Sequence, residues 1–309
     1  LIRHYRALPA GKRPRAWFTY HLYHKAPDWI GPAVAEALAI PYLVAEPSHA
    51  PRQADGPWAE GHAAAAAAIG RADALFCLNS KDLPGLRALV AEPARIIHLK
   101  PFLDTRAYPA PADRAALRTA LAAGHDLDPA EPWLLTVAMM RNDVKLDSYR
   151  LLAAALQRLA EQPWRLVAIG DGPARPAVAQ AFAPLSGRVC WLGALDEAAL
   201  LPWLQSADLF VWPAIGEAFG MALLEAQAAG LPVVAGRSGG VADIVAHGHS
   251  GWLCTSGDAQ GFAAAVAALL ADPGRRRAMG EAARARLRSE HDLDSAARVL
   301  RAVLERLCP

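Results

Sequence analysis

Short uninterrupted apolar runs recur along the chain, and between them apolar positions return at three- and four-residue intervals. The runs fit strands buried on both faces and the intervals fit amphipathic helices, so their alternation predicts an α/β protein with parallel sheets. In the first third, strands are expected at residues 15–21, 40–47, 72–78 and 94–99, with helices over 32–39, 58–69 and 81–89. Pro109, Pro111, Pro129 and Pro132 then surround one short helical pattern, which reads as an interdomain linker over 106–131. A second series places strands at 133–138, 165–170, 188–193, 207–213 and 231–236, with an edge strand at 252–254. Asp272-Pro273 is a helix cap followed by proline at the first helical position, and Asp292 or Asp294 is expected to cap the last helix. The pattern predicts two doubly wound Rossmann-like domains, residues 1–105 and 132–290, with a cleft between them. The first has too few strands for a complete sheet, and a terminal helix over 291–309 is expected to pack back toward it.

Composition narrows the class. The chain of 309 residues is 54% hydrophobic and 20% charged, which excludes a disordered or fibrous protein. Its net charge of +2 gives no field to draw it onto nucleic acid, so no nucleic-acid partner is expected. No uncharged apolar run reaches the length of a membrane-spanning helix. Cys77, Cys190, Cys254 and Cys308 show no Cys-x-x-Cys spacing, which fits a reducing, cytoplasmic setting rather than a disulfide scaffold. Basic residues divide into 27 Arg and 5 Lys, a bias that GC-rich coding explains. Leu1 falls in mid-pattern with no initiator Met or signal peptide before it, so a fragment boundary is one expectation.

Ligands of open parallel sheets bind beyond the carboxyl ends of the strands. The richest such place follows the strand at 207–213, where a glycine-containing turn leads into a helix. Glu217 precedes that helix and Glu225 lies within it. On continuous helical geometry the two carboxylates stand about 12 Å apart along the axis and roughly 80° apart around it. Phe219, Gly220 and Met221 offer backbone N–H groups at the positive end of the helix dipole. That layout suits a nucleotide diphosphate sugar, with the diphosphate at the helix start and a carboxylate at each end accepting hydroxyl protons. An amphipathic helix with an early Glu is the plainer alternative.

Residues 217–254, with 169–173 and 189–193 upstream, resemble the retaining glycosyltransferases of family 4, and a weaker likeness extends back to the strand at Trp17. The resemblance implies the GT-B fold of two facing Rossmann-like domains and transfer of a hexosyl unit from a nucleotide diphosphate sugar to a hydroxyl of a glycan or lipid-linked acceptor. It implies that Glu217 contacts the donor hexose, that Glu225 holds the ribose hydroxyls, and that the amides of Phe219, Gly220 and Met221 approach sugar and phosphates. Arg141 and Lys145 resemble the basic pair on the diphosphate, where cations stabilise a leaving group. Met140 and Leu146 stand where the family's glycines are usual. His49 resembles the family's histidine near the donor sugar, and His21 and His24 are candidates for the acceptor pocket. No cofactor and no essential metal is expected.

Several patterns compete. Residues 236–240 fit Gly-x-Ser-x-Gly, which offers Ser238 as a hydrolase nucleophile with Asp258 or Asp272 and His291 downstream. Asp126-Leu-Asp128 and Asp292-Leu-Asp294 imitate a metal-binding Asp-x-Asp, although neither follows a strand. The run Arg275, Arg276, Arg277, Arg284, Arg286 and Arg288 reads as a solvated helix face, with peripheral contact to anionic lipid headgroups at the membrane's inner face as the alternative. A GT-B-fold sugar-nucleotide epimerase is a further possibility. Residues 1–14 supply neither the opening strand nor the glycine-rich turn usual in the family, so a truncated, non-catalytic sugar-nucleotide binder is the non-enzymatic alternative.

Overall fold

The structure is a computed structural model that describes residues 1–308. The chain divides into two compact units, Leu1–Pro101 with Asp294–Pro309, and Phe102–Leu293. Each has its own hydrophobic core.

In the N-terminal unit the chain runs through α1 (Ile2–Ala7), β1 (Trp17–Tyr20), α2 (Gly31–Leu38), β2 (Tyr42–Ala45), α3 (Ala59–Arg71), β3 (Ala74–Cys77), α4 (Leu83–Arg87) and β4 (Ile96–His98). The four strands form one parallel sheet in the order β1-β2-β3-β4. All four residues of β2 and of β3 are buried, as strands covered on both faces must be. Asp28 ties β1, β2 and α2 together. Its carboxylate accepts from Thr19 Oγ1 at 2.5 Å, Tyr42 OH at 3.0 Å, Trp17 Nε1 at 3.2 Å and the Gly31 amide at 2.7 Å. Burial pushes this carboxyl toward protonation, but the hydrogen bonds outweigh it and its pKa is lowered.

The C-terminal unit contains α5 (Arg114–His125), β5 (Trp133–Val137), α6 (Val144–Gln157), β6 (Arg165–Ile169), α7 (Arg175–Ala181), β7 (Val189–Gly193), α8 (Glu197–Ser206), β8 (Leu209–Trp212), α9 (Met221–Ala228), β9 (Val233–Gly236), α10 (Val241–Ile244), β10 (Gly251–Cys254), α11 (Ala259–Ala271) and α12 (Pro273–Glu290). Its six parallel strands are ordered β10-β9-β8-β5-β6-β7. From β5 the chain builds outward through β6 and β7, then returns to add β8, β9 and β10 on the other side. The direction of winding therefore reverses between β5 and β8, and β10 is an edge strand. The final helix, α13 (Leu293–Leu307), belongs from Asp294 onward to the N-terminal unit, where Arg15 donates to the Cys308 carbonyl at 2.5 Å.

Two expectations change. The stretch 106–131, read as a linker, is built into the C-terminal unit. Arg118 of α5 is buried, stacks 4.0 Å from the Trp133 ring, and donates to the carbonyls of Pro129, Glu131 and Ser206 at 2.5–2.7 Å. It also pairs with Asp208 at 3.0 Å, and burial lowers its pKa. The prolines mark turns around a packed helix. The arginine run of α12 is not simply a solvated face either. Arg276 donates to the carbonyls of Leu269 and Leu270 at the end of α11, Arg284 to Ala228 and Ala229 at the end of α9, and Arg286 to Ile244 and Asp243 at α10. These guanidiniums satisfy the carbonyls that helix ends leave open. Asp272 caps α12 by accepting from the Arg275 amide at 2.8 Å. No helix among the described residues is long and apolar enough to cross a membrane.

Candidate active site

The winding reverses between β5 and β8, and the carboxyl ends of the strands flanking such a reversal are the general location of ligands in doubly wound sheets. Both strands deliver charge to it. Beyond β5, Asp143 caps α6 by accepting from the Lys145 amide at 2.8 Å, which sets Lys145 in the first helical turn. Beyond β8, the chain turns through residues 213–216 to Glu217. Lys145 Nζ and Glu217 Oε2 meet at 2.5 Å, with side chains only 15% and 14% exposed. Trp212, the last residue of β8, donates Nε1 to the same oxygen at 3.2 Å, and the Lys145 ammonium lies 5.5 Å from its ring centroid. Ser148 of α6 accepts from the Ile215 amide at 2.9 Å and so ties the turn to the helix that carries the lysine.

The backbone beneath Glu217 is fixed by glycines. A Cβ on Gly239, whose φ is +52°, would lie 1.8 Å from the Glu217 carbonyl oxygen, and the Gly240 amide donates to Ala218 at 2.8 Å. Gly170 is equally confined: its φ is +137° and a Cβ would lie 1.9 Å from the Ala138 carbonyl oxygen, where the ends of β5 and β6 press together.

Helix α9 begins at Met221, with Gly220 at its cap. Glu217 therefore sits in the turn before the helix, and the helical spacing expected between Glu217 and Glu225 does not apply. The amides of Phe219, Gly220, Met221 and Ala222 have no acceptor among the described residues, leaving a row of donors at the helix start. Glu225, one turn further on, is half-buried. Burial, and then the nearby Glu197, raise its pKa. The neighbouring Tyr108 phenol is pushed up to about 12 by burial and by Glu225 and Glu197.

Of the residues singled out in the sequence, the structure gathers Lys145, Glu217, Phe219, Gly220, Met221 and Glu225 beyond the carboxyl ends of β5 and β8 and along α9. Arg141 follows β5 but pairs with Asp143 at 3.0 Å and is half exposed. Met140 and Leu146, at the positions of the family's glycines, are buried in the core. His21, His24 and His49 belong to the N-terminal unit. His49 stacks on His62 with ring centroids 4.6 Å apart, and burial followed by the His62 charge lowers its pKa. Trp212, Tyr108 and Glu46 were not singled out. Trp212 was hidden because a strand-end tryptophan reads as core. Glu46 was hidden because it fell within an expected strand, although it stands at the carboxyl end where ligands are found.

The competing motifs find other uses. Ser238 has no hydrogen-bonded imidazole among the described residues, and the glycines around it serve backbone contacts, Gly236 against Pro213 and Gly239 against Glu217. Asp126 ends α5, and Asp128 accepts from the Ala130 amide at 2.8 Å. Asp292 accepts from the Thr105 amide and hydroxyl at 3.1 and 2.5 Å.

Residues 131–272 match the family described as Glycosyl transferases group 1. D-inositol 3-phosphate glycosyltransferase 2 of Catenulispora acidiphila is 32% identical over an alignment of 226 residues that covers 69% of this chain and 51% of that protein. The chain thus spans about half the length of the curated relatives it matches. Among solved structures, sucrose-phosphate synthase from Thermosynechococcus elongatus superposes with a TM-score of 0.75 at 23% identity, covering 99% of this chain and 77% of that one. HepE of Anabaena in complex with UDP gives a TM-score of 0.78 at 19% identity, covering 94% and 79%. At these identities the likeness is one of fold, and the fold is GT-B.

Proposed function

The chain belongs, through residues 131–272, to the glycosyl transferases group 1 family, and on that premise we propose that it moves a hexosyl unit, with retention of configuration, from a nucleotide diphosphate sugar to a hydroxyl of a glycan or lipid-linked acceptor. The observation that carries this reading is the Lys145–Glu217 pair at the winding reversal, beside the open amides of α9. Lys145 supplies positive charge where the departing nucleoside diphosphate gains negative charge. The α9 amides receive the phosphates, Glu217 holds the hexose near its reacting carbon, and Glu225 accepts from the ribose hydroxyls. Arg141 turns from Asp143 to the diphosphate when the donor is present.

The N-terminal unit provides the acceptor-side groups, with His21 and His24 among them. His49, whose lowered pKa keeps it neutral at pH 7, both donates and accepts a hydrogen bond, as recognition of a sugar hydroxyl requires. Lys145 takes the charge-neutralising role that a divalent ion fills in other sugar transferases, so turnover is expected to survive EDTA. The reaction is placed in the cytoplasm, at the membrane's inner face where the acceptor is lipid-linked. D-inositol 3-phosphate, named for the Catenulispora relative, is one acceptor to try.

The test is calorimetric titration of the chain with UDP- and GDP-sugars, followed by analysis of the anomeric product. Binding of one donor that is lost in Lys145→Met supports the reading. Failure of every donor to bind refutes it, and binding without any product leaves a sugar-nucleotide binder instead.

A further inference from the structure

One face of α6 grips the turn beyond β8. Lys145, Ser148 and Tyr149 stand three and four residues apart on that helix, the spacing that sets side chains next to each other. Lys145 reaches Glu217, Ser148 reaches the Ile215 amide, and the Tyr149 ring meets the Trp212 ring edge-on with centroids 5.0 Å apart. Tyr149 is itself anchored, since its hydroxyl donates to the Ala138 carbonyl at the end of β5 at 2.7 Å. Trp212 touches both the Tyr149 ring and the Lys145 ammonium and is only 2% exposed.

An indole N–H is a donor only, and when buried it needs one acceptor. Trp133 and Trp164 give theirs to backbone carbonyls, those of Asp128 and Leu159, at 2.9 and 2.7 Å. Trp212 instead gives its N–H to a carboxylate of the candidate site, Glu217 Oε2, the oxygen that also takes the Lys145 ammonium. No donor among the described residues reaches the other oxygen, Oε1.

We propose that Trp212 is the positioning residue for Glu217. Its N–H holds Oε2 so that Oε1 meets the donor sugar, and it keeps Oε2 paired when Lys145 turns its charge to the departing diphosphate. The inference rests on the glycosyl-transfer reading and adds a residue that acts through Glu217 rather than on the substrate. A carboxylate this buried is costly to leave without a donor. The ammonium sits on a flexible stem and is shared with the leaving group as negative charge develops there. The indole is wedged at a strand end with few torsions to lose, so it supplies a donor that does not move during the reaction. The contribution of Trp212 therefore grows from the donor complex to the transition state, and its loss falls on kcat rather than on donor KM.

Donor hydrolysis by the whole chain tests this without an identified glycan. The bond from sugar C1 to the diphosphate oxygen breaks, its electron pair leaves with the nucleotide, and a water oxygen bonds C1 and gives up a proton. The readout is release of UDP or GDP from UDP-glucose, UDP-galactose, UDP-N-acetylglucosamine and GDP-mannose. Trp212→Phe keeps an apolar ring against Tyr149 and removes the donor; kcat is expected to fall roughly tenfold with donor KM within about twofold of the parent. Trp164→Phe removes an equally buried indole N–H at the amino end of β6 and is expected to lower the melting temperature with both constants unchanged. The Trp212 indole 1H–15N resonance gives a second reading that needs no change at Trp212. It is expected to move upfield in Glu217→Gln, whose neutral amide accepts more weakly, and to stay in its hydrogen-bonded position in the parent saturated with donor. The proposal is overturned if Trp212→Phe works at the parent kcat, if its loss falls on KM alone, if Trp164→Phe loses kcat equally, or if the indole resonance ignores Glu217→Gln. A parent chain that releases neither nucleotide refutes the transfer reading and this role with it. Release by the parent with an unaffected Trp212→Phe refutes the role alone.

Discussion

The two sheets share one design, parallel strands beyond whose carboxyl ends a base pairs with a carboxylate, Lys145 with Glu217 and His21 with Glu46, yet what surrounds each pair differs. In the C-terminal unit the edge presents a lysine, a row of backbone amides and glycines that let backbone approach backbone. In the N-terminal unit it presents imidazoles, phenols, an indole and a carboxylate. The first set suits phosphates, and the second offers ring faces and side-chain hydrogen-bonding groups instead. Architecture alone therefore sets where a ligand sits, while the few residues just beyond each strand set which ligand it is.

Breaking the C-terminal edge is expected to have the largest effect. Lys145→Met removes the cation and strands the Glu217 carboxylate. Transfer should fall by about 10²–10³-fold, and chemical denaturation should show a loss near the low end of ~3–5 kcal/mol. Glu217→Ala should abolish transfer in a product assay, and turnover at the parent rate would remove Glu217 from the site.

Gly239→Ala tests whether the loop below the site matters as much as the side chains in it. Its new Cβ meets the Glu217 carbonyl in a left-handed backbone, so a destabilisation on the order of 2 kcal/mol is expected in thermal melts. Donor binding should weaken with it. The equivalent glycine-to-alanine change at Gly257, which has open space around it, should disturb only stability.

Glu225 gives a milder, pH-dependent separation. Its raised pKa means that acid protonates it earlier than an ordinary carboxyl. Donor KM should therefore rise as pH falls through that pKa, and Glu225→Gln should be about tenfold weaker and nearly flat with pH. The linkage to stability runs the other way. The folded state holds this proton more tightly than the unfolded chain, so the carboxyl favours folding below its unfolded pKa and loses that contribution as pH rises through the folded one. Melting curves of parent and Glu225→Gln across mildly acidic pH would read both directions.

The smallest effect is expected far from either edge. Arg284→Ala frees the Ala228 and Ala229 carbonyls at the end of α9, costing about 1–2 kcal/mol in a denaturant melt with donor KM unchanged.

The ten strands of the described residues stand where short apolar runs stand, most plainly β2, β3, β8 and β9, whose burial on both faces demands continuous apolar residues and little else. Glu217, Glu225 and the α9 amides were legible for a related reason: a strand running into a glycine turn and a helix is a local pattern. The 106–131 segment misled because proline marks turns without saying whether the helix between them packs, and Arg118 makes it pack. The arginines of α12 misled likewise, since charge along a helix does not reveal that carbonyl ends of other helices lie beneath it.

By itself, then, the sequence determined the alternation of elements, the parallel sheets and the turn that carries Glu217, all of which follow from neighbours along the chain. Only the tertiary structure decided that Lys145 reaches Glu217, that Trp212 joins them, and that His21 and Glu46 meet from the ends of adjacent strands. Those contacts join residues far apart in sequence, and the order of strands in a sheet brings them together.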